Sequence, residues 1–115
     1  MDKFTKHWKK QSLEAKKTEY AKIRKKYSDH IPVVVFTDGM EIDKHKYLLT
    51  EDLTAGHFLF IIRKRLKLKE DEAIFMSVGK GIMVPATQLL KVLYSTYKDE
   101  SGFLYINITK ESTFG

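Results

Sequence analysis

The chain contains no cysteine. Disulfides, thiolate metal sites and a cysteine nucleophile are therefore all excluded. That composition fits a reducing compartment. No apolar run approaches the roughly 20 residues a membrane span needs; the densest stretch is Phe58 to Ile62. Met1 is followed by Asp2 and Lys3, with no apolar segment resembling a signal peptide. Membrane association would then need a surface patch or a covalent lipid. Proline is scarce, with two in 115 residues, and no internal repeat, low-complexity segment or linker interrupts the chain.

One domain suits this length, and the 43% apolar content is enough for one core. The net charge of +6 is unevenly spread. Residues 1–27 hold ten Lys or Arg against three acids, so the remainder is close to neutral. A basic arm implies an acidic partner: nucleic acid, an anionic membrane or an acidic protein surface.

Phe4 and Trp8 would share one face of a short helix. Leu13, Tyr20, Ile23 and Tyr27 recur at helical spacing and predict a second amphipathic helix over 12–27. Ile31 to Phe36 is β-branched and short, as a strand should be. Pro32 suits an edge strand or a strand beginning. Asp38-Gly39 signals a turn, and Tyr47-Leu48-Leu49 the returning strand of a hairpin. Thr54 can cap a helix to about Arg65, with Phe58, Ile61, Ile62 and Leu66 as its buried stripe. Ala73 to Val78 reads as a third strand, and Gly79-Lys80-Gly81 as a loop from strand to helix. Pro85 can open another helix, with Leu89, Leu90, Leu93 and Tyr94 facing inward. Phe103 to Ile108 alternates too weakly for a half-exposed strand, so it should be central and covered on both faces.

This order predicts an α+β fold, a ubiquitin-like β-grasp with two additional N-terminal helices. Residues 1–27 would form the helical extension, 28–108 the β-grasp, and 109–115 a flexible tail. Catalytic chemistry is not in view. His7, His30, His45 and His57 lack metal-ligand spacing, Gly79-Lys80-Gly81 is no P-loop, and the acid pairs Asp71-Glu72 and Asp99-Glu100 read as solvated. No cofactor is expected.

Several blocks change the reading. Within 42–65 stand Lys46-Tyr47-Leu48, Asp52-Leu53-Thr54, Phe58 and Ile62-Arg63-Lys64-Arg65. Near the end stand Lys98-Asp99, Gly102-Phe103-Leu104-Tyr105 and Thr113-Phe114-Gly115. Together with Ile31-Pro32-Val33 and Ala73-Ile74-Phe75, they resemble the autophagy ubiquitin-like modifier family, which includes GABARAP. The resemblance covers essentially the whole chain. It departs at the first ten residues, at a hairpin loop around Thr37 to Met40 that is shorter than usual, at His30 where the family usually has Arg, and at Val84-Pro85-Ala86-Thr87.

The resemblance implies a modifier rather than an enzyme. Gly115 would be activated by an E1-like enzyme, passed to an E2-like enzyme and joined to phosphatidylethanolamine. A cysteine protease would serve processing or delipidation. The protein would be cytoplasmic, monomeric before conjugation, and on the autophagosome membrane once lipidated. The family also binds motifs of cargo receptors with an aromatic residue and, three positions on, an aliphatic one. The resemblance implies that such a peptide adds to the hairpin strand Val33 to Phe36. One pocket would use Glu19, Ile23, Pro32, Val34, Lys46, Leu48 and Phe103. The other would use Tyr47, Leu49, Leu53, Phe58, Ile61, Ile62 and Arg65. His30 stands at a motif-contacting position, and Lys44 would favour acidic flanks. On residues alone, most of these apolar positions read as core. The alternative function is a basic nucleic-acid-binding α+β domain, whose affinity would fall steeply with salt.

Overall fold

The computed structural model describes residues 2–110. Two helices come first, α1 (Lys3–Lys10) and α2 (Leu13–Lys26). They are followed by β1 (His30–Thr37), β2 (Lys46–Thr50), α3 (Ala55–Leu66), β3 (Phe75–Val78), β4 (Ile82–Met83), α4 (Leu90–Tyr97) and β5 (Leu104–Thr109). The strands form one mixed sheet in the order β2-β1-β5-β3-β4. β1 pairs antiparallel with β2 and parallel with β5.

Of the two placements that Pro32 allowed, an edge strand or a strand beginning, the second holds: β1 is interior and flanked on both sides, with Pro32 near its start. Strand geometry explains why the proline is tolerated. Val35 N–H donates to His45 O on the β2 side, so by alternation position 32 faces the β5 side. The β1–β5 ladder begins only at Val33 with Leu104. The donor that Pro32 lacks therefore has no partner waiting for it.

Burial divides the sheet into two faces. Val33 and Val35 join Phe58, Ile62, Leu90, Leu93, Leu104, Ile106 and Ile108 in the main core beneath α3 and α4. Val34 faces the other way and packs with Trp8 and Phe103, flanked by Phe4, Tyr20, Ile23, Phe36 and Tyr105. The Trp8 and Phe103 rings meet edge-on at 5.1 Å and 86°, a contact worth about 0.5–1.5 kcal/mol beyond its area. Trp8 also donates from Nε1 to the Tyr105 hydroxyl at 3.1 Å. The N-terminal helices thus close the second face of the sheet. β5 is central in the sheet, but its burial alternates: Leu104, Ile106 and Ile108 are buried while Tyr105, Asn107 and Thr109 are half-buried, so the cover expected on both faces is complete on one only.

α3 begins at a reciprocal capping box. Thr54 Oγ1 accepts from His57 N–H, and His57 Nδ1 accepts from Thr54 N–H, both at 3.2 Å; such caps contribute ~1 kcal/mol. Pro85 does not open a helix. Residues 84–89 cross the start of α3, where Gln88 O and Ala86 O accept from Ala55 N–H and Gly56 N–H. These carbonyls satisfy first-turn donors that the helix itself cannot. α4 starts only at Leu90, and Leu89 is exposed. Gly79-Lys80-Gly81 turns into the two-residue β4 rather than into a helix, with both glycines at positive φ. In α2, Tyr20 and Ile23 pack inward while Leu13 and Tyr27 stay exposed. β5 runs one residue further than expected, to Thr109. Of the predicted flexible tail, Thr109 and Lys110 are described and 111–115 lie outside the described residues.

α2 is fastened at both of its neighbours. Arg24 Nη1 donates to His30 O at 2.7 Å and Ser28 O at 2.9 Å, and its Nε to the Tyr20 hydroxyl at 3.0 Å. Tyr94 donates to Gly102 O at 2.7 Å, and burial pushes its phenol well above the ordinary range. Gly102 sits at φ +100° directly beneath the Tyr20 ring, where an added Cβ would lie 2.5 Å from ring carbons. Gly102→Ala should lower unfolding free energy by about 2 kcal/mol or more through combined backbone strain and clash. Urea denaturation followed by Trp8 fluorescence measures it; a loss near zero would show that α2 does not pack as described.

Candidate functional site

The free margin of the sheet on the hairpin side is β2. Its register sets Tyr47 opposite Val33 and Leu49 opposite Ile31. Given the bond from Val35 N–H to His45 O, alternation turns the amides of 45, 47 and 49 toward β1. The amides of Lys46, Leu48 and Thr50 therefore face outward. The same period of two sends the Tyr47 and Leu49 side chains into the main core and leaves Leu48 exposed at 37%.

Beside this margin lies an open hollow of about 330 Å³ lined by Ile23, Pro32, Val33, Lys44, Lys46, Tyr47, Leu48 and Phe103. Its lining comes from α2, β1, β2 and the residue before β5, with Phe103 fully buried and Leu48 exposed. Lys46 stands at the rim. Its Nζ pairs with Glu19 Oε2 at 2.8 Å and lies 4.8 Å from the centre of the Trp8 ring. Both partners of that ion pair are partly solvated, so it is worth at most about 1 kcal/mol and can open for an incoming group.

Most of the first predicted set is thus brought together: Ile23, Pro32, Lys46, Leu48 and Phe103 line the hollow, with Lys44 beside them, and Glu19 guards its rim. Val34 is fully buried, behind Phe103 in the second core. His30 is placed apart; its ring bonds Asp29 Oδ1 at 2.8 Å and meets the edge of Tyr27. The bond from His30 holds the Asp29 carboxyl below its ordinary range.

The second predicted set is also gathered, but closed. Phe58 and Ile62 are fully buried, Tyr47 and Leu49 nearly so, and Leu53 and Ile61 pack partly buried against them. Tyr47 donates to Lys44 O at 2.8 Å, and burial pushes its phenol up to about 12. Arg65 lies over the Tyr47 ring and donates to both Asp43 oxygens at 3.0 Å. That bond holds the Asp43 carboxyl below its usual value. Asp43, which the sequence reading did not single out, ties α3 to the hairpin loop.

The strand expected to receive a peptide must be corrected. Val33 to Phe36 lies in β1, whose two edges are taken by β2 and β5. Among the described residues, β2 is the strand with outward amides on this side of the sheet. Trp8 was likewise missed as a platform for Lys46. A larger hollow of about 440 Å³ lies between α1 and the far ends of β1 and β5, away from the residues named from sequence.

No group of His, Asp or Glu among the described residues could hold a metal ion. Of the paired acids, Glu72 accepts from Lys69 N–H and pairs with Lys110 at 3.0 Å, and Asp99 accepts from Ser101. No described helix is long and apolar enough to cross a membrane.

Comparison with known proteins agrees with this architecture. The family described as "Autophagy protein Atg8 ubiquitin like" matches residues 15–115. Autophagy-related protein 8A of Oryza sativa subsp. indica is 49% identical over 107 residues, covering 90% of this chain and 89% of its own length. Autophagy-related protein 8 of Schizosaccharomyces pombe is 45% identical over 108 residues, covering 90% and 88%. The crystal structure of Trypanosoma brucei ATG8 superposes with a TM-score of 0.82 at 31% identity, over 100% of this chain and 99% of that one. The chain belongs to the Atg8 family of ubiquitin-like autophagy proteins.

Proposed function

We propose that this protein is joined through Gly115 to phosphatidylethanolamine on autophagosomal membranes, and that it collects cargo receptors by taking their short motifs onto the β2 margin. The peptide half of this reading is supported by one observation above all: outward amides at Lys46, Leu48 and Thr50 run alongside the apolar hollow. An extended peptide adding to β2 would satisfy those amides, while its aromatic residue fills the space between Ile23, Pro32, Leu48 and Phe103. The aliphatic residue three positions on would meet the Tyr47, Leu49, Leu53, Phe58, Ile61, Ile62 and Arg65 cluster. That cluster is packed shut without a peptide, so the second anchor must displace side chains to enter. Burying each anchor yields roughly 1.5–3 kcal/mol. After the cost of association, micromolar affinity, about −8 kcal/mol, is the expected scale. Lys44, Lys46 and the basic face of α2 favour acidic residues flanking the motif.

The conjugation half rests on family membership and on the Phe114-Gly115 pair, which lies within the matched residues 15–115. A glycine carboxylate without a Cβ can thread a narrow enzyme channel. The E1-like and E2-like enzymes would each carry it as a thioester, and a cysteine protease would release it. A diacyl lipid, with ~0.8 kcal/mol per buried CH₂, anchors a protein that has no spanning helix of its own among its described residues.

Two variants separate the halves. Gly115→Ala should abolish phosphatidylethanolamine conjugation by the cognate enzymes, scored by mobility shift and intact mass; wild-type conjugation would refute the role of Gly115. Leu48→Arg should weaken binding of a Trp-x-x-Leu peptide at least about tenfold by calorimetry, since it places a charge at the apolar wall. Equal affinities would remove the hollow from the account.

A further inference from the structure

The β2 margin has a charge order of its own. Lys44 and Lys46 stand at its start, and Glu51 and Asp52 follow directly after Thr50 at its end. Between them Leu48 is the exposed apolar residue. Lys44 lies over the Tyr47 ring at 5.1 Å and forms no ion pair among the described residues, and neither do Glu51 and Asp52. The other charges beside the strand are committed within the molecule. Lys46 pairs with Glu19 at 2.8 Å, and Asp43 with Arg65 at 3.0 Å. His45 is buried and turned toward Val35 O and Asp2.

A strand that is basic at one end and acidic at the other complements itself only when reversed. Two copies of β2 running the same way would set like charges together. Running antiparallel, each basic end meets the acidic end of the other copy. The backbone then selects the register. Residues 46, 48 and 50 turn their hydrogen-bonding groups outward, so antiparallel copies must match these residues among themselves. Centring the pair on Leu48 uses all three: Leu48 faces Leu48, and Lys46 faces Thr50 of the second copy. The same register carries on to Lys44 opposite Asp52.

We infer that β2 is also a self-association edge, on which two copies of this chain pair antiparallel about Leu48 and join their five-stranded sheets. Such a pair is closed, because each copy offers the same edge to the other. It is also weak. β2 has only five residues, Lys46 is the kind of edge charge that discourages pairing, and a net charge of +6 on each copy opposes contact. An interface so small implies a dissociation constant of roughly 0.1–1 mM, so dilute protein is monomeric. Where the conjugation proposed above crowds copies on one membrane, the higher local concentration populates the pair. Self-pairing and receptor motifs then compete for the same three amides. The pairing itself rests on β2 alone, and its test uses the unconjugated protein in solution.

Sedimentation equilibrium of the intact chain from about 20 µM to about 1 mM should show wild type moving from monomer toward dimer. Lys44→Glu sets acid against acid at both ends of the pair and should weaken the dimer at least about fivefold. Adding Asp52→Lys to Lys44→Glu exchanges the charges and should restore it. The lack of native cysteine allows the register to be read separately. Leu48→Cys lies on the two-fold axis, within disulfide reach of its own copy, and should crosslink on oxidation. Thr50→Cys, on the same exposed edge, opposes position 46 and should not. A chain that stays monomeric to about 1 mM overturns the proposal. So does a dimer indifferent to Lys44→Glu, or one that crosslinks equally at both cysteine positions.

Discussion

β1 is held from four directions, and the rest of the molecule follows from that. β2 and β5 take its two edges, and a helix-covered core lies against each of its faces. Val33, Val34 and Val35 are all fully buried as a result. A strand so enclosed cannot receive a further one, so the margin falls to its hairpin partner. The opposite margin, β4, has only two residues. Among the described residues, β2 is therefore the longer free edge. Its period-two geometry sets Tyr47 and Leu49 into the core while Leu48 and Lys46 stand beside the hollow. Edge and pocket come from one pairing register.

The second face explains why the first two helices belong to the fold. Without Trp8, Phe4, Tyr20 and Ile23, the side chains of Val34, Phe103 and Tyr105 would lie against water. Covering them makes a boundary between α2 and the sheet, and that boundary is the hollow. Lys46 connects the two regions through Glu19 on one side and the Phe4 and Trp8 rings on the other. The helical extension thereby shapes the surface that the β-grasp presents. The family relationship supplies the setting for such a surface, and the pairing order supplies its position.

Much of this was readable from the residues. Thr54 announced α3, the apolar run of Phe103 to Ile108 announced a central strand, and Phe4 with Trp8 announced α1. The gaps have physical causes. Pro32 left an edge strand and a strand beginning both open, because its missing donor matters only where a partner strand lies opposite, and that depends on where the β1–β5 ladder starts. Pro85 suggested a helix start, but the carbonyls of residues 86 and 88 were needed to satisfy α3, which no local pattern encodes. β4 was too short to show a period. Leu13, Tyr27 and Leu89 fitted helical or apolar patterns yet stay exposed. The closed state of the cluster around Tyr47 and Phe58 was beyond reach as well, since core and pocket wall use the same residue types. His45 looked like any surface histidine, because its burial depends on α1 folding back across the hairpin.

The central claim is that β2 is the receiving edge. Amide hydrogen exchange with residue resolution, with and without a Trp-x-x-Leu peptide, tests it most directly. Addition of a strand to β2 predicts that the Lys46, Leu48 and Thr50 amides slow by about tenfold or more on binding, while the already paired Tyr47 and Leu49 amides change little. Binding that leaves those three amides exchanging as before would contradict the account.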